Sequence, residues 1–207
     1  MSKGKEIMDT YNKLAKFFHW VIGLLFLGLL AVGFYMEALD RSAFKFELYG
    51  IHKALGITVL ALAVLRIIWR FIRPAPGHID THKPWERALS KLVHFILYAG
   101  ILAMPLSGWV MSSAGGHAVS FFGLFEVPPI VGENKDLGTL ARQIHELAAY
   151  AMLGALALHF GGAAKHHIID RDVTLTRMSF VKNHSVNILL LLIFAILLAA
   201  SYVQLIL

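Results

Sequence analysis

Eleven histidines and no cysteine set the chemistry open to this 207-residue chain. Without thiols, disulfide frameworks, thiolate zinc sites, iron–sulfur clusters and covalently attached c-type haem are excluded, so metal chemistry falls to imidazole. The sharpest spacing is between His145 and His159, fourteen residues apart. At about 1.5 Å and 100° per residue, a helix carries the second about 21 Å past the first and returns it to within about 40° of the same face. One helix can therefore offer an imidazole to each of two sites stacked along its axis.

The elements that must hold these residues are membrane helices. Hydrophobic residues make up 57% of the chain and charged ones 15%, against roughly 45–50% and 25% in a soluble domain. The net charge of +6 would alone suggest nucleic acid, but the apolar runs overrule it, and nucleic acid is not an expected partner. Five stretches are long and apolar enough to span lipid: about Phe17–Leu39, Tyr49–Ile72, Leu92–Met111, Ala141–Leu158 and Val186–Leu207. The first reads as a permanent span, since it is too long for a cleaved signal and follows Lys3, Lys5, Lys13 and Lys16. Placing the N-terminus in the cytoplasm leaves Arg41, Lys45, Lys53, Lys135 and Arg142 outside and the other 14 of 19 basic residues inside. Five spans then put the C-terminus outside.

Between these helices, Pro74 and Pro76 stop the second span. Residues 112–140 form a long outer loop whose Phe121, Phe122 and Phe125 suit an interfacial lid. The expected fold is an all-α membrane protein, an antiparallel four-helix bundle plus a fifth C-terminal transmembrane helix. Residues 1–178 form the bundle domain and residues 179–207 an extension carrying the extra helix. With no His, Lys, Arg, Asp or Glu after residue 185, that helix reads as a packing or dimerisation element.

In this frame the histidines sort by depth. His52 and His145 share the outer level, and His19, His94 and His159 share the inner one. Ionisable side chains within spans are costly and point to function. Two bis-histidine haems fit this arrangement, each iron lying between imidazoles of facing helices. Small residues four positions after a histidine, Gly23 after His19, Gly56 after His52 and Ala149 after His145, would leave room beside it, although helix packing uses small residues equally. Zinc also takes imidazole, but a catalytic zinc site wants a nearby acid, and only Glu146 is close to the outer pair. Structural histidines bonding neighbouring helices are the remaining reading. His78, His82, His117 and His184 are expected as surface imidazoles, while His166 and His167 suit either a cofactor headgroup or the interface.

These residues stand in a recognisable pattern: Phe18-His19-Trp20, Ile51-His52-Lys53-Ala54-Leu55-Gly56 with Val64-Leu65-Arg66, Leu92-Val93-His94 with Pro105-Leu106-Ser107-Gly108, and Ile144-His145-Glu146 with Leu158-His159. Over about residues 11–178 the chain resembles the bacterial cytochrome b561 family of di-haem membrane proteins. Lys165-His166-His167 and Asp172-Val173-Thr174-Leu175 look like its YceJ-like subgroup. The resemblance implies two b-type haems, the outer on His52 and His145, the inner on His19 and His159. Depth alone leaves His19 and His94 open as the inner ligand; the resemblance selects His19 and makes His94 a neighbour of the inner haem or of a quinone. The tail departs from the pattern, because family members commonly stop soon after the fourth helix.

The function so implied is electron transfer between a periplasmic-side donor and ubiquinone or another membrane quinone, within a bacterial inner membrane. Superoxide is the leading donor, since the family includes superoxide oxidases. Lys53, Arg66 and Arg70 would neutralise haem propionates or border quinone, with anchoring at the lipid interface as the plainer role for Arg70. Lys53, Arg41, Lys135 and Arg142 could steer an anion, although Glu126, Glu133 and Asp136 blunt that field. The alternative is a subunit without enzyme activity of its own, passing electrons between quinol and a periplasmic redox or lipid-binding partner. Membrane lipid and a second copy of the chain complete the expected partners.

Overall fold

The computed structural model describes residues 10–77, 79, 82–181, 183, 185–193 and 196. Four long helices dominate: α1 (Lys13–Ala38), α2 (Ala43–Ile72), α3 (Pro84–Ala114) and α4 (Lys135–Ala164). All four are long and apolar enough to cross a membrane. A π-helical turn (Lys165–Ile169) prolongs α4, and a short α5 (Thr174–Met178) follows.

Local chemistry sets the helix ends: all four helices begin before the apolar stretches, and α3 and α4 also run past them. Asn12, Ser42 and Asn134 cap α1, α2 and α4 by accepting from the backbone N–H of Ala15, Lys45 and Leu137 at 3.0, 3.2 and 3.0 Å. Pro84 opens α3, where Glu86 accepts from the Lys83 N–H at 2.8 Å. Arg73 ends α2 ahead of Pro74, as expected.

The buried core runs along the bundle axis through Phe18, Ile22, Phe26, Leu27 and Leu30 of α1, Val59 and Ala63 of α2, Ile101 and Met104 of α3, and Met152 and Leu156 of α4. The closest pairing is α3 with α4, where Gly100 leaves no room for a Cβ beside the Met152 thioether. Outward faces stay apolar, with Phe71 82% and Phe95 70% exposed, as a lipid-facing surface requires.

One feature departs from the expected all-helical fold. Within the loop between α3 and α4, β1 (Val119–Phe121) and β2 (Phe125–Val127) form an antiparallel hairpin, with Val119 opposite Val127. Its turn uses positive φ at Phe122 and Gly123, and Phe121 stacks on Phe125 at 5.0 Å, so the aromatic run that suggested a lid builds a hairpin. Of the fifth expected span, residues 185–193 are helical, and most of the rest lies outside the described residues. Its first turns are anchored through Asn187, 1% exposed, whose Oδ1 accepts from Ser179 Oγ at 2.7 Å.

At the end of the bundle away from the hairpin, the chain after α4 closes over α1. Trp20 Nε1 donates to the Met178 carbonyl at 3.0 Å and Lys16 Nζ to that of Ser179 at 2.7 Å. Asp172 Oδ1 accepts from the Thr174 N–H at 2.7 Å. Burial pushes the Asp172 carboxyl up, but hydrogen bonds from Thr174 and His82 outweigh it and hold it below the usual carboxylate range.

Candidate functional site

The histidines converge in two groups at opposite ends of the bundle. Toward the hairpin, His52 of α2 faces His145 of α4, with ring centroids 6.4 Å apart and planes at 72°. At the other end, His19 of α1 faces His159 of α4 at 5.9 Å and 64°. One helix thus contributes to both groups, as the fourteen-residue spacing requires. His94 of α3 joins the second group, 5.2 Å from the His159 ring.

The surroundings of His145 fix its tautomer. Its Nδ1 lies 2.9 Å from the Met104 carbonyl and 3.1 Å from Ser107 Oγ, and that hydroxyl also donates to Met104 O at 2.9 Å. A proton on Nδ1 satisfies the carbonyl and leaves Nε2 with a free lone pair. Pro105, inside α3, withholds a backbone donor from this turn. Across the gap, Nδ1 of His52 is buried without a hydrogen-bond partner among the described residues. A buried imidazole nitrogen left unbonded is costly unless something absent from the protein chain occupies it.

The two rings line a small apolar cavity of about 40 Å³, shared with Gly56, Phe26, Leu30 and Met104 among others. A Cβ at Gly56 or Gly23 would meet nothing within 4 Å, so space is kept beside His52 and His19. Gly154, Gly161 and Gly162 are equally open. The glycines that touch the histidines are others. A Cβ on Gly108 would sit 3.3 Å from His145 Cε1, and one on Gly33 3.6 Å from His52 Cε1. Gly108 and Ser107 belonged to the Pro105–Gly108 run noted in the sequence; nothing there marked Gly33.

The second group is more basic. Arg66 Nη2 lies 3.5 Å from His19 Nδ1, and the guanidinium sits 5.5 Å from the centre of the Tyr98 ring. Arg66, Arg70 and Arg73 line one pocket with Tyr11, Trp69 and Tyr98. His94 stays at its edge, exposed, with Nδ1 2.6 Å from the Ser90 carbonyl. Lys53 is half-buried next to His52 in α2. Arg142 pairs with Glu37 at 3.4 Å on the surface, which spends part of the basic field near the hairpin.

Do these residues fit haem? A metal bound by two opposed imidazole nitrogens at about 2 Å each sets the ring centroids about 6 Å apart. The 6.4 Å and 5.9 Å pairs match that separation, and the 5.2 Å pair of His94 with His159 matches it less well. Neutral donors, an orphaned ring nitrogen and an apolar cavity beside it suit a flat apolar macrocycle.

The model of the prokaryotic cytochrome b561 family matches residues 10–180. The chain belongs to that family. It is 31% identical over 171 residues to cytochrome b561 homolog 2 of Escherichia coli K12, covering 82% of this chain and 91% of that one. Against cytochrome b561 homolog 1 of the same organism it is 30% identical over 173 residues, 83% and 97% of the two chains. A probable superoxide oxidase CybB of Yersinia pestis is 28% identical over 162 residues, 76% of this chain and 92% of that one. As a cytochrome b561 family member the chain is a membrane electron-transfer protein, and b-type haem is the cofactor the family implies.

Two sequence-based expectations are corrected here. His82, read as a surface imidazole, is largely buried, with its side chain only 16% exposed and its ring stacked 4.2 Å from that of His166. His166, read as a cofactor contact or interface residue, sits instead among carboxylates, with Asp170 and Asp172 at 2.8 and 3.0 Å from its Nδ1.

Proposed function

We propose that this cytochrome b561 family member binds two b-type haems, one between His52 and His145 and one between His19 and His159. It would carry electrons between a donor at the hairpin end and a membrane quinone at the other. The observation that carries this reading is the pair of facing imidazoles at each end of the bundle, with α4 contributing to both. Bound there, each haem would supply a one-electron carrier within a low-dielectric bundle.

The chain's own residues set the conditions. Met104 O and Ser107 Oγ hold His145 in the tautomer that presents Nε2, and raise its basicity as a ligand. Arg66 places positive charge beside His19 and Arg70 adds to it in the adjoining pocket, where a propionate or a quinone oxygen gaining electron density would be stabilised. Tyr98 and Trp69 give the same pocket flat apolar walls suited to a quinone ring.

Superoxide is the favoured donor. Lys53, next in sequence to His52, is a local positive charge that would draw a small anion to this histidine pair, against the acidic Glu126, Glu133 and Asp136 of the same end. A relative 28% identical is named a probable superoxide oxidase. The N-terminus would lie in the cytoplasm of a bacterial cell and the hairpin in the periplasm. Residues 186–207 would form a fifth span that places the C-terminus outside, so a reporter fused after Leu207 should be active only on the periplasmic side.

The deciding experiment is stopped-flow mixing of oxidised, haem-loaded protein with superoxide, with and without quinone. Reduction faster than spontaneous dismutation, followed by reoxidation when quinone is present, is the expected result. If superoxide fails while quinol or a co-purifying periplasmic protein reduces the haems rapidly, the chain is an electron-transfer subunit.

A further inference from the structure

A second constellation lies outside both histidine pairs, where the chain leaving α4 meets the loop between α2 and α3. His82 Nε2 and His166 Nδ1 both approach one carboxylate oxygen, Asp172 Oδ2, at 2.9 and 3.0 Å. The imidazoles stack with centroids 4.2 Å apart and a 26° tilt. All three side chains are largely withdrawn from solvent, at 16%, 12% and 12% exposure.

Ordinary hydrogen bonding explains this cluster incompletely. Nδ1 of His166 is buried and makes no hydrogen bond among the described residues, although Asp170 Oδ2 and Asp172 Oδ2 stand 2.8 and 3.0 Å away. Both oxygens are near, but neither lies along the direction in which that nitrogen bonds. A buried ring nitrogen so placed leaves that direction to another occupant.

The neighbouring charges single out Asp172. Lys165 pairs with Glu86 and, at 2.7 Å, with Asp170, so those two carboxylates already share one ammonium. The ion pairs of Asp172 among the described residues are with the two imidazoles. Its Oδ1 is held by the Thr174 N–H, which turns Oδ2 toward them, and Thr174 Oγ1 adds an oxygen 3.2 Å from His82 Nε2.

We propose that His82, His166 and Asp172 form a binding site for a divalent transition cation of the Zn²⁺ type. Two imidazoles and one carboxylate are the donor set such an ion prefers over Mg²⁺ or Ca²⁺, which take oxygen shells. Tetrahedral ligands at about 2.0–2.2 Å stand about 3.3 Å apart, so the two nitrogen–oxygen separations, 2.9 and 3.0 Å, need widen by only about 0.3–0.4 Å; all three ligand atoms lie within 4.8 Å of one another. Three protein ligands leave a fourth position for water or Thr174 Oγ1. The site ties the loop before α3 to the chain after α4 and is separate from the haem-binding histidines.

The test uses tag-free, haem-loaded full-length protein in detergent, stripped with EDTA and titrated with Zn²⁺ by calorimetry. X-ray absorption at the zinc edge reads the ligands. One Zn²⁺ per chain, with imidazole scattering in its shell, is expected. Asp172→Asn and His82→Gln should each weaken it at least about tenfold, with the haem spectrum unchanged. Asp172→Asn nearly preserves shape, so it serves if the histidine variant does not fold. No stoichiometric binding, a zinc shell without imidazole, or undiminished affinity in Asp172→Asn would each overturn the proposal and leave a hydrogen-bonded network without metal.

Discussion

The Nδ1 of His145 lies 2.9 Å from the backbone carbonyl of Met104, one helix donating to the middle of the next. This contact orients the imidazole before any cofactor arrives, since it assigns the proton to Nδ1 and leaves Nε2 unprotonated on a ring that lines the cavity shared with His52. Ser107 shares that nitrogen at 3.1 Å. Ser107→Ala should therefore keep two haems but make His145 a less basic ligand, raising the midpoint potential of the hairpin-end centre alone. Redox titration checks this; a shift confined to the other centre would contradict it.

Gly108 gives a steric test of the same site. A Cβ there would press on His145 Cε1 at 3.3 Å, which alanine can meet with a small adjustment and leucine cannot. Gly108→Ala is expected to keep both haems, and Gly108→Leu to lose one while the His19–His159 site stays loaded. Pyridine haemochrome quantification against protein gives the count.

At the opposite end, His94 and His19 compete for His159. Ring separations of 5.9 Å for His19 and 5.2 Å for His94 favour His19 as the opposed ligand. His19→Ala should lose one haem, and His94→Ala should retain two. A His94→Ala protein with a single haem would exchange the roles.

Arg66 should matter for the quinone step rather than for haem retention. It stands 3.5 Å from His19 and lines the pocket with Arg70, Tyr98 and Trp69. Losing a charged hydrogen-bond donor to substrate costs roughly 1.5–3 kcal/mol, so Arg66→Gln should raise the apparent KM for quinone about tenfold or more. Both haems should remain, and reduction at the hairpin end should keep its rate.

The C-terminal segment contributes packing through Asn187, which is buried and bonded to Ser179. A chain ending after Val181 is expected to load two haems but melt at lower temperature, because Ser179 loses a buried partner at a cost of about 1 kcal/mol. Asn187→Ala should reproduce most of that drop. Loss of haem on truncation would mean that the segment seals a cofactor site.

The sequence made the four spans and the two ends at which His19, His52, His94, His145 and His159 gather legible because lipid imposes a length and a polarity on every helix, and because 3.6 residues per turn ties His145 to His159. Contacts across helices were not legible. Gly56 and Gly23, chosen for their spacing from a histidine, border open space, whereas Gly33 and Gly108, on different helices from the histidines they touch, make the close approaches. The His82–Asp172–His166 cluster was hidden for the same reason: His166 and Asp172 are near neighbours, but His82 is eighty-four and ninety residues away from them, and no local pattern brings it to them.

The central claim, two haems on two histidine pairs sharing α4, is tested most directly by one measurement. It is the dithionite-reduced minus oxidised spectrum, with haem quantified per chain, of the native protein beside His145→Ala and His159→Ala. The native protein should hold two low-spin haems and each variant one, with the absorbance lost from each variant belonging to a different centre. Either variant keeping two bis-histidine haems, or a native protein that takes up none, would contradict it.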